Sequence, residues 1–215
     1  NNCTARGVGR FDMAAGEELE SYAGDLRGLR LDSSGTRWAA IDNAEQIVLG
    51  TPDSLAVTAL ANVTLTVGTK PELVFFGPVS GRLYYTTVTR TAETVELIDE
   101  LSTIDTPLFV QPYFDFAQPA LYAFDADLST AQLLWEDDGY AYARVTEMAD
   151  GAMLFSRVEP NAALLEALQA GTATAETIAE LLPTADVLQL ASTATTPTVW
   201  LHNARQFTLF SAARQ

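Results

Sequence analysis

Short β-prone runs separated by turn residues dominate residues 29 to 158, and this pattern limits the chain to a mainly β fold. Twelve candidate strands fall in these 130 residues, and each is rich in β-branched, aromatic or other apolar side chains. They are Leu29–Leu31, Arg37–Ile41, Gln46–Leu49, Leu55–Leu60, Val63–Val67, Glu72–Phe76, Arg82–Val88, Leu108–Phe116, Ala120–Phe124, Gln132–Trp135, Tyr140–Thr146 and Ala152–Val158. Three more follow, at Val187–Leu190, Thr198–Leu201 and Gln206–Phe210.

Glycine dipeptides separate several of these runs. They are Ser34-Gly35, Ser80-Gly81, Asp138-Gly139 and Asp150-Gly151. Because glycine tolerates the positive φ that tight hairpin turns require, each dipeptide predicts a hairpin. The last two lie 12 residues apart. We therefore expect Gln132 to Val158 to form one three-stranded antiparallel unit.

Helical patterns occur in two places. Residues Glu17 to Leu26 are expected to form one short helix. A helical hairpin is expected near residues 160–183, because Pro160 suits a first helical position, Gly171 ends the first helix and Thr174 caps the second.

Two short segments of the chain are nearly identical. Thr91–Val95 reads TAETV and Thr174–Ile178 reads TAETI, 83 residues apart. The match indicates either an internal duplication of a strand-rich unit or a coincidence in a chain rich in Ala, Thr and Glu.

We expect a flexible arm over residues 1–15 and a single strand-rich domain over residues 16–215.

The segment from Ala120 to Glu136 resembles the outer hairpin of a quinoprotein-type β-propeller blade, in which a strand ending in Ala-x-Asp turns and returns to a Trp. Trp38 to Leu49 is similar to the turn and strand pair of many propeller repeats. The turn glycine expected between Asp125 and Trp135 is absent. The resemblance implies propeller-like antiparallel meanders and carries over no cofactor site. The alternatives are a β-sandwich and an α+β domain with one extended antiparallel sheet.

The charge balance of the chain bears on its partners. It has 215 residues, 28 acidic and 12 basic side chains, and a formal net charge of −16. Because nucleic-acid affinity depends largely on Lys and Arg that neutralise phosphates, we expect no nucleic-acid partner. The longest uncharged stretches, residues 54–69 and 187–204, are interrupted by polar residues, so we expect no transmembrane segment. An acidic surface suits a basic protein partner.

Cys3 is the only cysteine, so no disulfide forms within the chain. A Cys near the start of the chain, followed by a Gly- and Arg-containing run, fits the lipid-anchored cysteine of a bacterial envelope lipoprotein. The two Asn before it favour the alternative, an incidental thiol. We predict an extracytoplasmic location, whether periplasmic, envelope-anchored or secreted.

Few residues could serve nucleophilic or metal chemistry. His202 is the only histidine and would have to be the base of a Ser-His-Asp triad, yet no Gly-x-Ser-x-Gly elbow occurs. We therefore expect His202 simply to lie on a strand. One His and one Cys do not make an ordinary zinc or iron site, and the glycine-rich nucleotide loops are missing. We assign no catalytic residue, no metal and no cofactor.

Acidic residues are concentrated near residues 125–138. Four oxygen-bearing residues match positions 1, 3, 5 and 12 of a calcium-binding loop: Asp125, Asp127, Ser129 and Glu136. Thr130 stands where that loop needs Gly, so a solvated hairpin is expected instead. The run Glu136-Asp137-Asp138 could act on glycosides only if its carboxyl pKa values were split, whereas neighbouring carboxylates beside a turn are usually all ionised.

Aromatic residues crowd the preceding segment. Six lie within 16 positions: Phe109, Tyr113, Phe114, Phe116, Tyr122 and Phe124. Strand alternation predicts that most of them form core. The alternative is an exposed platform for a sugar ring or a partner side chain, which the residues Gln111-Pro112 and Gln118-Pro119 favour by indicating a shaped loop.

These observations predict a non-enzymatic interaction module of a bacterial cell-envelope or secreted assembly, which recognises a protein partner through an acidic surface. The predicted binding residues are Tyr113, Phe116, Tyr122, Asp125, Asp127, Glu136 and Asp137. The alternative is a carboxylate-based glycoside hydrolase or a carbohydrate-binding protein, with acids brought together from separate strands.

Overall fold

The computed structural model describes residues 8–22, 24–60, 63, 65, 68–89, 118–137, 141–158, 161–181 and 185–204. The strands in these ranges are β1 (Val8–Asp12), β2 (Glu17–Tyr22), β3 (Leu26–Leu31), β4 (Trp38–Asp42), β5 (Ile47–Thr51), β6 (Ser54–Ala59), β7 (Thr69–Phe76), β8 (Leu83–Thr89), β9 (Gln118–Phe124), β10 (Ala131–Glu136), β11 (Ala141–Glu147), β12 (Met153–Val158), β13 (Ala185–Leu190) and β14 (Thr198–Ala204). The helices are α1 (Ala162–Gln169) and α2 (Ala175–Leu181). The chain divides into two compact units, residues 1–87 with 121–134 and residues 88–120 with 135–215.

The strands form four antiparallel sheets in the described ranges. β1 and β2 make a two-stranded ribbon, and the remaining strands make three sheets of four. Their orders are β3-β4-β5-β6, β7-β8-β9-β10 and β11-β12-β13-β14. A four-stranded sheet built in chain order is a meander, the repeating unit of a β-propeller. The prediction of a mainly β, propeller-like fold with a short helical hairpin is therefore confirmed.

The first unit has its core between the two sheets that begin at β3 and β7. The buried side chains of this core are Ala39, Ile41, Ile47, Val74, Phe76, Leu83, Tyr85 and Phe124. Successive residues of a strand point to opposite faces, so β4 also supplies Trp38 and Ala40 to a second cluster, which they share with Val48 and Leu55. The β4 strand is thus buried on both faces.

The second unit contains β11 to β14 and both helices, and its buried side chains include Leu164, Leu168 and Ile178 of the helices. Residues 152–156 are all buried, and the Trp135 ring lies against Phe155 with ring centroids 4.7 Å apart. The predicted helix signals at Gly171 and Thr174 are confirmed: Gly171 has a φ of +65°, and the Thr177 N–H donates to the Thr174 hydroxyl at 3.1 Å. The first helix begins at Ala162, two residues after the expected first position at Pro160, because Asn161 caps it.

The expected helix over Glu17 to Leu26 was wrong, since this segment contains β2 and the start of β3. Cross-strand pairing with β1 outweighs the local helix preference of its Glu and Leu residues. β1 itself lies within the predicted arm. The first seven residues, Cys3 among them, lie outside the described ranges.

The expected three-stranded unit over Gln132 to Val158 was also wrong. β10 belongs to the sheet of β7–β9, whereas β11 pairs with β12 in the next sheet. Turn residues specify that the chain reverses, but long-range packing decides which strands share a sheet.

Several other expectations fall on undescribed residues. The predicted strands over 63–67, 108–116 and 206–210 lie mostly or entirely outside the described ranges, as does residue segment 91–95. The internal duplication and the single-domain boundaries therefore stay predictions. Among the described helices, α1 has 8 residues and α2 has 7, and neither is long and apolar enough to cross a membrane.

Candidate functional site

The predicted binding residue Asp125 ends β9 and organises the turn into β10. Its carboxylate accepts hydrogen bonds from the N–H groups of Ser129 (2.9 Å) and Thr130 (3.1 Å) and from both hydroxyls. The Thr130 hydroxyl contributes most to lowering the pKa of Asp125 below its ordinary value, against the opposing effect of desolvation. Asp127 accepts the same Ser129 N–H at 2.9 Å. The expected hairpin is confirmed, and the carboxylates of Asp125 and Asp127 stabilise its turn through these hydrogen bonds.

The same turn recurs at two other hairpins, which begin at Asp32 and Asp42. In all three turns, the N–H of the residue three positions after the Asp donates to the Asp carbonyl. The distances are 3.0, 3.1 and 3.2 Å in chain order. That third residue has a positive φ in every case: Gly35 (+68°), Glu45 (+59°) and Leu128 (+62°). The turn glycine missing from the propeller-like segment is thus replaced by a leucine held in the left-handed region.

Asp32 shows how strongly these turns hold a carboxylate. Its side chain is 6% exposed. Desolvation raises the pKa of Asp32, but hydrogen bonds from the Arg37 N–H, the Ser34 hydroxyl, the Arg37 guanidinium and the Thr36 N–H outweigh it and lower the pKa to about 2. The carboxylate is therefore an ionised structural element at neutral pH.

Two residues of the predicted acidic run, Glu136 and Asp137, lie in the described ranges and have different surroundings. Glu136 is exposed at the end of β10. Asp137 lies 3.8 Å from the Arg157 guanidinium, which also approaches Asp186 at 4.0 Å. Asp186 in turn lies 3.3 Å from Nδ1 of His202. The expected strand position of His202 is confirmed on β14.

Tyr122 is half-buried, and its ring stacks on Tyr85 with centroids 4.8 Å apart and planes 6° apart. Burial, helped by the Tyr122 phenol, raises the pKa of Tyr85 to about 12. Tyr122 thus packs against the first core. Tyr113 and Phe116 lie outside the described ranges, so the predicted binding set stays a prediction.

Metal and acid chemistry has little to build on in the described part of the chain. No group of three or more His, Cys, Asp or Glu side chains there lies close enough to hold a metal ion. Its buried carboxylates are Asp32 and Glu147, which belong to different compact units.

Two exposed apolar surfaces were missed by sequence reasoning. One is on the β1–β2 ribbon and includes Phe11, Met13 and Leu19; the other is on β14, with Trp200 and its two neighbours. Apolar residues in a predicted strand are ordinarily expected to be buried. The available signal was the mixture of apolar and acidic residues in 11–19, which instead suggested an arm and a helix.

The β1–β2 ribbon is held at its turn and in its middle. At its turn, the Asp12 carboxylate accepts the N–H groups of Ala14 (2.8 Å) and Ala15 (3.1 Å), and the Ala15 bond contributes most to lowering the pKa of Asp12. Along its length, Glu20 accepts the Leu55 N–H at 3.0 Å. The ribbon is thereby attached to β6.

Comparisons with known proteins show the fold and nothing finer. No protein-family model and no curated protein matches the chain. One chain of a nidogen/laminin complex aligns at 14% sequence identity with a TM-score of 0.50. The alignment covers 91% of this chain and 57% of that chain. An oligogalacturonate lyase in complex with manganese aligns with 93% of this chain and 43% of its own, at 13% identity and a TM-score of 0.51. Both have propeller-type folds, and this chain spans about half the length of these structures.

Proposed function

We propose that the chain is a non-enzymatic interaction module that recognises a protein partner through an acidic surface. The observation that carries this proposal is the exposure of large apolar side chains beside carboxylates on the β1–β2 ribbon. Contiguous apolar exposure is unfavourable in water and typically marks an interaction surface. The net charge of −16 favours a basic partner.

The way the chain uses its carboxylates supports binding over catalysis. Asp12, Asp32 and Asp125 all accept turn hydrogen bonds that lower their pKa values. A general acid needs the opposite, a carboxyl pKa raised towards neutrality. These three groups therefore suit a structural role.

One observation favours the carbohydrate alternative. Trp200 is 55% exposed on β14, and an exposed indole offers an apolar face to a sugar ring. A glycoside hydrolase or carbohydrate-binding protein therefore stays the second candidate, and a panel of oligosaccharides tests it through binding and reducing-sugar release.

We also propose an extracytoplasmic location in a bacterial envelope or secreted assembly, with Cys3 as the candidate lipid anchor. This proposal rests on the sequence alone. Fractionation of the native cells, with the mass of the N-terminal peptide, tests both parts. Recovery in the cytoplasm with an unmodified thiol would contradict them.

The function itself is tested by quantitative affinity capture from native cells. We expect a stoichiometric protein partner that is released at high ionic strength, because ion pairs at an exposed surface are screened by salt. Capture that yields no stoichiometric protein, together with saccharide hydrolysis or specific glycan binding, would contradict the proposal.

A further inference from the structure

We propose that the β1–β2 ribbon is the docking element, and that it receives an extended segment of a partner protein in which Lys or Arg alternates with apolar side chains. This inference rests on the proposed function and names both the surface and the chemistry of the partner. The docking surface is defined as Phe11, Met13, Glu18 and Leu19.

The apolar part of the docking surface lies at the turn and on both strands. Met13 is 90% exposed at the tip, and Phe11 and Leu19 are each more than half exposed. A methionine side chain adapts readily to the shape of an apolar partner. Each of these residues can bury apolar area when a partner binds.

An aromatic ring and a carboxylate lie side by side on this surface. Phe11 pairs with Glu18 across the ribbon. A Cβ built on Gly9 would lie 2.7 Å from Cε2 of Phe11 and 3.4 Å from Oε1 of Glu18, so both side chains extend over the same glycine. A Lys or Arg placed there meets the ring through a cation–π contact and the carboxylate through a charge-assisted hydrogen bond. The geometry thus favours a cation.

The charges of the docking surface are available to a partner. On the ribbon, Glu20 forms an ion pair with Arg10 at 3.7 Å. Glu17 and Glu18 form no ion pair with any of the described residues. A second copy of this chain would bring another strongly acidic protein against these carboxylates, which is unfavourable. Charge complementarity therefore selects a basic segment as the occupant.

The ribbon is organised before any partner arrives. The turn at Asp12 fixes the loop that carries Met13, and the Glu20 carboxylate holds the ribbon to Leu55. Arg10 also donates to the Asp53 carbonyl. Because this backbone is already ordered, binding loses little conformational entropy.

Methyl NMR with defined peptides tests the inference. The chain has three methionines, Met13, Met148 and Met153, and Met153 is buried, so its methyl serves as an internal reference. The probes are three synthetic peptides of equal length that alternate Lys with Leu, Glu with Leu, and Lys with Ser. We expect a saturable shift of the Met13 methyl with the Lys/Leu peptide and weaker or no shift with the other two, while the Met153 methyl stays in place.

Matched variants then locate the binding. The isosteric variant Glu18→Gln should weaken Lys/Leu binding about 3- to 5-fold and reduce its salt dependence. Phe11→Ser should weaken it about 10-fold through the loss of the ring. The controls are Leu133→Ser, an exposed apolar site on β10, and Glu176→Gln with Glu180→Gln on α2, which should leave binding unchanged.

The outcomes separate this inference from the proposed function. If the Lys/Leu peptide does not bind, or binds equally to the ribbon variants and the wild type, the ribbon is not the docking element. Native-cell capture judges the proposed function independently: a partner retained by the ribbon variants overturns the inference and leaves the function standing. Because Met153 lies in the other compact unit, thermal unfolding followed by circular dichroism reports whether each variant remains folded.

Discussion

Gly50 is expected to be intolerant of any side chain because of its position opposite Trp38 in the pairing of β4 with β5. A Cβ on residue 50 would lie 2.1 Å from Cζ2 and 2.3 Å from Cε2 of the indole. Trp38 is 3% exposed, and its Nε1–H donates to the Thr51 carbonyl at 3.0 Å. The ring cannot move aside without losing this hydrogen bond and its packing against Val48 and Leu55.

The size of the effect follows from these contacts. Overpacking a well-filled core costs about 1–3 kcal/mol, and loss of the buried indole hydrogen bond adds about 1 kcal/mol. Replacing Gly by Ala in a strand returns about 0.5–1 kcal/mol of backbone entropy. Gly50→Ala should therefore lower the free energy of unfolding by about 1–3.5 kcal/mol, which for a chain of this length is a Tm decrease of roughly 2–14 °C.

A double-mutant cycle tests the cause of this destabilisation. Urea and thermal unfolding, followed by circular dichroism, are measured for Gly50→Ala in the wild type and in a Trp38→Leu background. Because the clashing indole atoms are gone in that background, the same substitution should cost less than about 0.5 kcal/mol there. Equal costs in the two backgrounds would refute the steric reasoning.

Three further predictions concern the other turns and the core. Hydrogen bonds lower the pKa of Asp32 to about 2 in the folded chain. Its carboxylate therefore stabilises the fold above the unfolded pKa of about 3.9, and this stabilisation is lost as the pH falls towards 2. Asp32→Asn should flatten the decline in Tm between pH 5 and pH 2, and an unchanged decline would contradict this. Leu128→Val should destabilise by about 1–2 kcal/mol in urea unfolding, because a β-branched residue is strained at a φ of +62°, whereas the control Leu133→Val on a strand should be nearly neutral. Because the pKa of Tyr85 is raised to about 12, the protonated phenol stabilises the fold below pH 10, and this contribution is lost as the pH rises through about 12. Tyr85→Phe should remove one phenol that titrates near pH 12 from the ultraviolet absorbance curve, and a curve that keeps its full amplitude there would count against the assignment.

Local chemistry explains why strand positions could be predicted. Trp38–Asp42 and Ala131–Glu136 lie within a residue or two of their expected positions, because β-branched and aromatic runs between turn residues favour extended backbone by themselves. The turn at Asp125 was expected as a hairpin although its glycine is absent. A short-range contact, the carboxylate bound to Thr130, replaces the missing glycine's conformational freedom.

The candidate site was harder to predict. Tyr122 belongs to the predicted binding set, which stays a prediction, and its ring stacks on Tyr85, 37 positions earlier in the chain. Phe11 and Met13 are exposed, although other phenylalanine and methionine residues of the chain are buried. Exposure depends on what covers a strand, and no short window of sequence contains that information.

The amino-acid sequence alone determined most of the extended runs and turns after residue 29 and the helix capped at Thr174, because each depends on residues only a few positions apart. The strong acidity follows from the composition. The tertiary structure decided that β10 and β11 enter different sheets and that residues 17–22 form a strand. Those outcomes depend on contacts such as that of Glu20 with Leu55, 35 positions apart, whose free energy appears only when distant segments pack together.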